Sequence, residues 1–254
     1  MNTVGKLLRL GLRLIRVTFT NPRRLSHVLG VALSASEEVA DKSLDLLRFP
    51  LVTLDDLLPK EGVEIASLAM FPKGRASVSP LESLALVLLL KRAKARNVFE
   101  FGTYKGVSIT QLALNVPDGG QIRTLDLPDD DPRYVLPITD PDDITIALEK
   151  GKGAFVPTDL QPRIQFLKED SAGFDEAPLQ GLVDFVFVDG AHDAEYVRSD
   201  SEKGWRMLRP GGIIAWHDCR IQDPMVVHYL LECDYKPARI SQTSLAFATK
   251  PGPT

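Results

Sequence analysis

Val98-Phe99-Glu100-Phe101-Gly102-Thr103-Tyr104-Lys105-Gly106-Val107-Ser108 reads as a strand, an acid, a glycine turn and a helix start. The first residues are apolar and aromatic, as a buried strand requires. Gly102 and Gly106 are expected to let backbone approach a ligand closely, and the helix that follows offers free N–H groups. A dinucleotide fingerprint needs G-x-G-x-x-G, whereas this loop reads E-x-G-x-x-x-G. Tyr104 stands where the fingerprint's middle glycine would be, which argues against a pyrophosphate there. The chain also lacks a G-x-x-x-x-G-K-S/T phosphate loop.

Outward from this stretch, strands and helices alternate. Upstream, Ser79-Pro80-Leu81-Glu82 predicts a helix start, with serine as cap, proline at the first position and glutamate three after the cap. That helix should run to about Ala95. Downstream, strands are expected at Ile122–Asp126, Ile164–Leu167, Val183–Val188 and Ile213–Trp216, with weaker candidates at Ala238–Ile240 and Ser244–Thr249. Val183–Val188 is apolar on both faces, as a central parallel strand should be. Helices are expected at Val107–Leu114, Glu195–Leu208 and near Met225–Leu231, and Arg209-Pro210-Gly211-Gly212 reads as a turn. The pattern predicts an α/β fold with a doubly wound, Rossmann-like, mostly parallel sheet of seven strands. Residues 128–162 are long for a connection and rich in aspartate. Each acid there reads first as part of a solvated insertion, and the whole as a lid or substrate loop.

Polar groups close successive strands: Asp126 the second, Asp170-Ser171 the third, Asp189-Gly190-Ala191-His192 the fourth. All should converge at the carboxyl edge of the sheet, where such folds bind ligands, with Asp126 placed to take two ribose hydroxyls. A turn residue or helix cap explains any one of them, but explains the ordered set poorly.

The phrases FEFGTYKGVS, TLDLP, IQFLKEDSAGF, DFVFVDGAHDAEYVRSD, LRPGGIIAWHD and TSLAF follow in order across residues 79–249. In these the chain resembles the class I S-adenosylmethionine-dependent methyltransferases, and among them the group of macrocin O-methyltransferase and the cephalosporin-hydroxylase-like proteins. The resemblance implies S-adenosylmethionine as cofactor. Glu100, Gly102, Thr103, Gly106 and Ser108 would surround its methionine and ribose parts, Asp126 its ribose hydroxyls, and Asp170 with Ser171 its adenine; Asp189 would complete the pocket. A sulfonium cation is well served by carboxylates. The acceptor would be a small molecule, a sugar, glycoside or polyketide, methylated on a hydroxyl.

Such a hydroxyl is a poor nucleophile until it loses its proton or meets a metal. In the resembling group the carboxylates matching Asp189 and Asp218 bind magnesium, and the histidine matching His192 is a proposed base. Its unperturbed pKa of roughly 6.5 suits that role. Where some members place a further acid, this chain has His217, and imidazole suits manganese, iron or zinc better than magnesium. The expected metal set is therefore Asp189, Asp218 and His217. Trp216 and Cys219 read as packing, and His27 and His228 have no constellation around them. The rival readings are a metal-independent N-methyltransferase and a nonenzymatic cofactor-binding or membrane-associated scaffold. A nicotinamide oxidoreductase is disfavoured by Tyr104.

Composition frames these readings. The 254 residues carry a net charge of -4 and are 44% hydrophobic, ordinary for a globular chain. Two cysteines form no disulfide framework, so a reducing, cytoplasmic setting is expected. Charge is uneven. Residues 1–30 hold Lys6, Arg9, Arg13, Arg16, Arg23 and Arg24 and no acid, giving +6, and the remaining residues therefore carry -10. The expected organisation is a basic amphipathic arm over 1–30, a helical or irregular connector over 31–78, and a catalytic domain over 79–254. The arm's periodicity suits a helix on an anionic membrane surface through residues 4–24, or one docked on its own domain or a second subunit in a homo-oligomer. Nucleic acid is not expected as a partner, because an acidic body repels phosphates.

Overall fold

A computed structural model of the protein describes residues 44–68, 77–130 and 133–252. The basic arm lies outside the described residues, as does the first part of the connector, residues 31–43.

The chain builds one eight-stranded sheet with helices on both faces. Its strands are β1 (Leu51–Val52), β2 (Asn97–Phe101), β3 (Gln121–Asp126), β4 (Ile164–Lys168), β5 (Val183–Val188), β6 (Leu208–Trp216), β7 (Ala238–Ile240) and β8 (Ala246–Thr249). Their order is β1-β7-β8-β6-β5-β2-β3-β4. Every pairing is parallel except those of β8 with β6 and β7. The direction of travel reverses between β2 and β5, which makes their carboxyl ends the switch point where ligands bind in open α/β sheets.

Seven strands were expected, and the eighth is β1. It comes from the connector read as helical or irregular, and pairs Leu51 and Val52 with Arg239 and Ile240 at the sheet edge. The connector is also tied down further on, where Asn115 and Gln111 side chains bond the backbone at Ala66 and Leu68. Arg209–Gly212, read as a turn, lies within β6 instead. There the register with β5 shifts between Val183 and Phe185, so the Pro-Gly-Gly run is absorbed as an irregularity of the strand.

Local signals account for the helices. In α2 (Pro80–Arg92), after the short α1 (Leu54–Leu57), the Ser79 hydroxyl accepts from Glu82 N–H and the Glu82 carboxylate accepts from Ser79 N–H. Leu86 to Leu90 are all buried, so α2 is an internal helix rather than an amphipathic one. Further helices among the described residues are α3 (Val107–Asn115), α4 (Pro141–Leu148), α5 (Ala194–Met207) and α6 (Pro224–Glu232).

Side chains of successive strand residues alternate between two cores. Phe185, Phe187, Ile213 and Ala215 pack with α2 and α3, whereas Val186, Val188, Ile214 and Trp216 pack with α5 and α6. Trp216 and Cys219 are buried, as their packing assignment expected. Among the described residues no helix is long and apolar enough to cross a membrane.

The described part of 128–162 is folded rather than a bare loop, although Asp130, Asp142 and Asp159 are exposed, as a solvated insertion would have them. Asp140 caps α4, accepting from the N–H groups of Asp142 and Asp143, and Pro141 occupies the first helical position. The segment is clipped down on both flanks. Gly153 and Phe155 donate N–H bonds to the carbonyls of Tyr104 and Lys105, and Thr139 donates to Asp193. Val156 reaches the core beside α3.

Candidate active site

The carboxyl ends of β2 to β6 and the clipped segment enclose a cleft of about 1010 Å³. Its size is at the upper end for small-molecule sites. Gly102 lines it after β2, Asp126 after β3, Asp170 and Ser171 after β4, Asp189 and His192 after β5, and His217 and Asp218 after β6. The convergence expected from the strand ends is therefore present.

One half of the cleft is arranged around Asp126. Its carboxylate accepts N–H bonds from Tyr104 (2.7 Å) and Leu127 (2.8 Å), and burial raises its pKa. Tyr104, at φ 42°, thus spends its N–H on a carboxylate rather than on a phosphate, in keeping with the missing dinucleotide fingerprint. Glu100 lies deeper and is fully buried. The Thr124 hydroxyl donates to it at 2.6 Å, and Thr103 and Thr124 share a further 2.6 Å bond. Burial, with the nearby charges of Asp189 and Asp126, pushes the Glu100 carboxyl up to about 8, so it is largely neutral at pH 7. Ser108 is also buried, in the first turn of α3.

Gly102 and Gly106 also make room for the protein's own chain. A Cβ on Gly102 (φ +89°) would lie 1.9 Å from the Asp189 carbonyl oxygen, and one on Gly106 (φ +86°) would lie 2.5 Å from Val156 Cγ2. Gly102 in particular lets the ends of β2 and β5 close up at the switch point.

Asp170 is more heavily used than an adenine border would be. One oxygen accepts from Val135 N–H (2.9 Å) and the Tyr196 hydroxyl (2.6 Å), and the other from Ala172 N–H (2.7 Å). It joins the clipped segment, β4 and α5 at the cleft wall. Ser171 faces the cleft, and its carbonyl holds the ammonium of Lys203 at 2.6 Å.

The other half contains the histidines. His192 Nδ1 lies 2.6 Å from Asp143 Oδ1, its Nε2 lies 2.7 Å from Asp218 Oδ2, and its own backbone N–H donates to Asp143 Oδ2 at 2.6 Å. Burial opposes a charged imidazole, but the two carboxylates outweigh it and raise His192 to about 11. A pKa near the ordinary histidine value was expected, and the structure departs from that. With both ring nitrogens held by carboxylates, the acid form is the stable one.

His217 Nδ1 lies 3.0 Å from both Asp189 Oδ1 and Asp218 Oδ2. Burial lowers its proton affinity, yet the surrounding carboxylates raise it well above the usual value. Asp218 has a left-handed backbone (φ 55°), uncommon for a residue with a side chain and concentrated at functional sites. Arg220 reaches the other oxygen of Asp218 at 2.9 Å. Ligand atoms of Asp189, His217 and Asp218 all lie within 4.8 Å of one another, which assembles the expected metal set. Two carboxylates and an imidazole make a mixed oxygen and nitrogen donor set that fits a divalent transition metal.

Asp143 was not singled out from the sequence. Asp140-Pro141 signals a helix start inside the insertion, but nothing local says that the fourth residue of that run meets His192, 49 positions away. Glu82 was read only as a helix cap. It also accepts from the N–H (2.9 Å) and hydroxyl (2.7 Å) of Ser244, and stands 3.5 Å behind His217. His228 and Cys233 lie outside the cleft lining.

Residues 99–219 match a family model described as a methyltransferase domain. Caffeoyl-CoA O-methyltransferase 1 of Arabidopsis thaliana is 30% identical over 188 residues, covering 71% of this chain and 67% of that protein. Caffeoyl-CoA O-methyltransferase 5 of Nicotiana tabacum is 29% identical over 187 residues, covering 71% and 72%. Among solved structures, the S-adenosylhomocysteine-bound methyltransferase PaMTH1 of Podospora anserina superposes with a TM-score of 0.50 at 17% identity, covering 72% of this chain and 83% of that one. That likeness is one of fold.

Proposed function

The chain belongs to the class I S-adenosylmethionine-dependent methyltransferases, and from that premise we propose that its cleft methylates a hydroxyl of a small sugar, glycoside or polyketide-like acceptor, with a divalent metal assisting. S-adenosylmethionine is its cofactor, and the relatives that share its sequence are O-methyltransferases. The observation that carries the reading is a single cleft holding Asp126 at one end and the His192–Asp218–Asp189 cluster at the other.

In this reading Asp126 holds the ribose hydroxyls with its remaining lone pairs. Gly102, Thr103, Gly106 and Ser108 shape the loop beneath the cofactor, largely neutral Glu100 forms its floor, and Asp170 and Ser171 form the adenine wall. When bound, the cofactor supplies an electrophilic methyl group, and alignment with the acceptor is most of the catalysis. With Asp218 committed to the metal, His192 would lose one of the two carboxylates that keep it charged, and its neutral ring would then be the proton acceptor, Asp143 holding a proton on Nδ1 and leaving Nε2 to face the acceptor hydroxyl. Asp189, Asp218 and His217 would hold the metal, which when bound supplies positive charge that favours the ionised acceptor. The negative lining also suits a sulfonium cation.

Calorimetric titration with S-adenosylhomocysteine, with and without chelator, followed by methyl transfer from labelled S-adenosylmethionine to a panel of hydroxylated and amino acceptors, tests the reading. Binding together with label on oxygen is expected. No binding would remove the cofactor assignments, and label on nitrogen alone would favour the N-methyltransferase alternative.

Residues 1–30 lie outside the described structure. Their charge and spacing support a peripheral helix on an anionic membrane surface, attached to a cytoplasmic catalytic domain over 79–254. Co-sedimentation with anionic liposomes should fall sharply in a variant lacking residues 1–30, and equal sedimentation would eliminate the surface helix.

A further inference from the structure

Glu82 starts an internal helix, yet its carboxylate does more than cap it. Oε2 closes the cap with Ser79 N–H (2.8 Å), while Oε1 takes both the N–H and the hydroxyl of Ser244, 162 positions along the chain. A cap needs one oxygen; here three donors hold both oxygens still. The carboxylate so fixed lies 3.5 Å from His217 Nε2, a charge contact in which no hydrogen bond is formed, and Glu82 and His217 are both almost wholly removed from solvent. On the far side of the same ring, Nδ1 faces Asp189 Oδ1 and Asp218 Oδ2 at 3.0 Å each. The order across the ring is carboxylate, imidazole, paired carboxylates.

We propose that Glu82 is a positioning residue that keeps a proton on His217 Nε2, so that His217 presents the Nδ1 lone pair beside Asp189 and Asp218 and the centre selects a borderline transition ion over magnesium. This rests on the metal reading above and goes beyond it by naming the group that sets the ligand and the class of ion. Imidazole carries one proton when neutral, and an acceptor at one nitrogen leaves the other free to ligate. Metal-ligating histidines are regularly oriented this way by a second carboxylate or carbonyl, and loss of that partner costs roughly 10–100-fold in affinity. Magnesium prefers oxygen donors and gains little from the imidazole. Glu82 does not line the cleft; it acts only through His217.

The test uses the full chain and metal ions alone. Cobalt(II) and magnesium affinities are measured by calorimetry, and the cobalt absorption bands report whether nitrogen is ligated. Wild type is expected to bind cobalt(II) more tightly than magnesium, with a nitrogen-ligated spectrum. Glu82→Gln can still close the helix cap through its amide oxygen. It should lose on the order of 10–100-fold in cobalt(II) affinity while magnesium affinity changes little. His217→Asn replaces the nitrogen by an oxygen donor and should narrow or reverse the preference, which keeps the proposal testable if Glu82→Gln folds poorly. Equal losses for both ions in Glu82→Gln, or no loss for either, would overturn the proposal while leaving the metal centre standing. Failure of wild type to bind either ion would overturn the metal reading and this proposal together.

Discussion

Asp143→Ala is the most informative single change, because one carboxylate holds both the backbone and the ring of His192. It removes two 2.6 Å hydrogen bonds, to the backbone N–H and to Nδ1. The orphaned backbone N–H should cost about 1–2 kcal/mol at any pH. The bond to the charged ring should add about 1.5–3 kcal/mol, but only while the ring is protonated. The sign follows from linkage. His192 is raised to about 11 in the folded chain against about 6.5 unfolded, so its contribution is complete below pH 6.5 and fades as pH rises towards 11. Without Asp143 the folded value drops, and the gap between wild type and variant is widest at low pH. Urea unfolding in EDTA should show a deficit of about 2.5–5 kcal/mol at pH 6, shrinking by up to about 1 kcal/mol at pH 9.5. A deficit identical at the two pH values would show that Asp143 does not support the charge on His192. No deficit at either would remove both bonds from the account.

Three further outcomes are expected. Asp126→Ala should weaken S-adenosylhomocysteine binding by about 10–100-fold in calorimetry, the worth of a charged hydrogen-bond acceptor, and unchanged affinity would refute the ribose assignment. Gly102→Ala places a methyl group 1.9 Å from the Asp189 carbonyl at φ +89°, so thermal unfolding should reveal a loss above about 4 kcal/mol; a wild-type melting temperature would mean that the β2 and β5 ends part freely. Glu100→Gln should gain stability over wild type as pH rises from about 4.5 to 8. In that window unfolded Glu100 ionises while the folded carboxyl, held at about 8, does not, and a pH-independent difference would contradict its burial as a neutral acid.

Much of the site was legible because each contribution sits where a strand stops. The run from Val98 to Gly106 announced a strand and its turn by composition, and Asp126, Asp170, Asp189 and Asp218 each followed an apolar stretch of strand length. A parallel sheet brings such ends to one edge whatever the detailed packing, so the convergence could be foreseen. The two glycines were located in the turn, but the chain contacts that require them were not foreseen. A glycine pattern shows that space is needed and does not show whether a ligand or the Asp189 carbonyl fills it.

Residue order and periodicity therefore specified the alternating fold, the sheet edge where the polar groups converge, and the positions of Asp126 and of the three residues of the candidate metal set. These are local properties, written within a few residues of each strand. The partners of the histidines were decided only when the chain closed on itself. Asp143 meets His192 because the segment after β3 folds back and is clipped to Tyr104, Lys105 and Asp193. Glu82 stands behind His217 because α2 packs across the sheet and brings its first turn against Ser244. Such meetings depend on which of many loop closures the packed cores favour, and no window of neighbouring residues contains that choice. They also set the proton affinities: two carboxylates around one ring turn an ordinary histidine into one that stays charged to about pH 11.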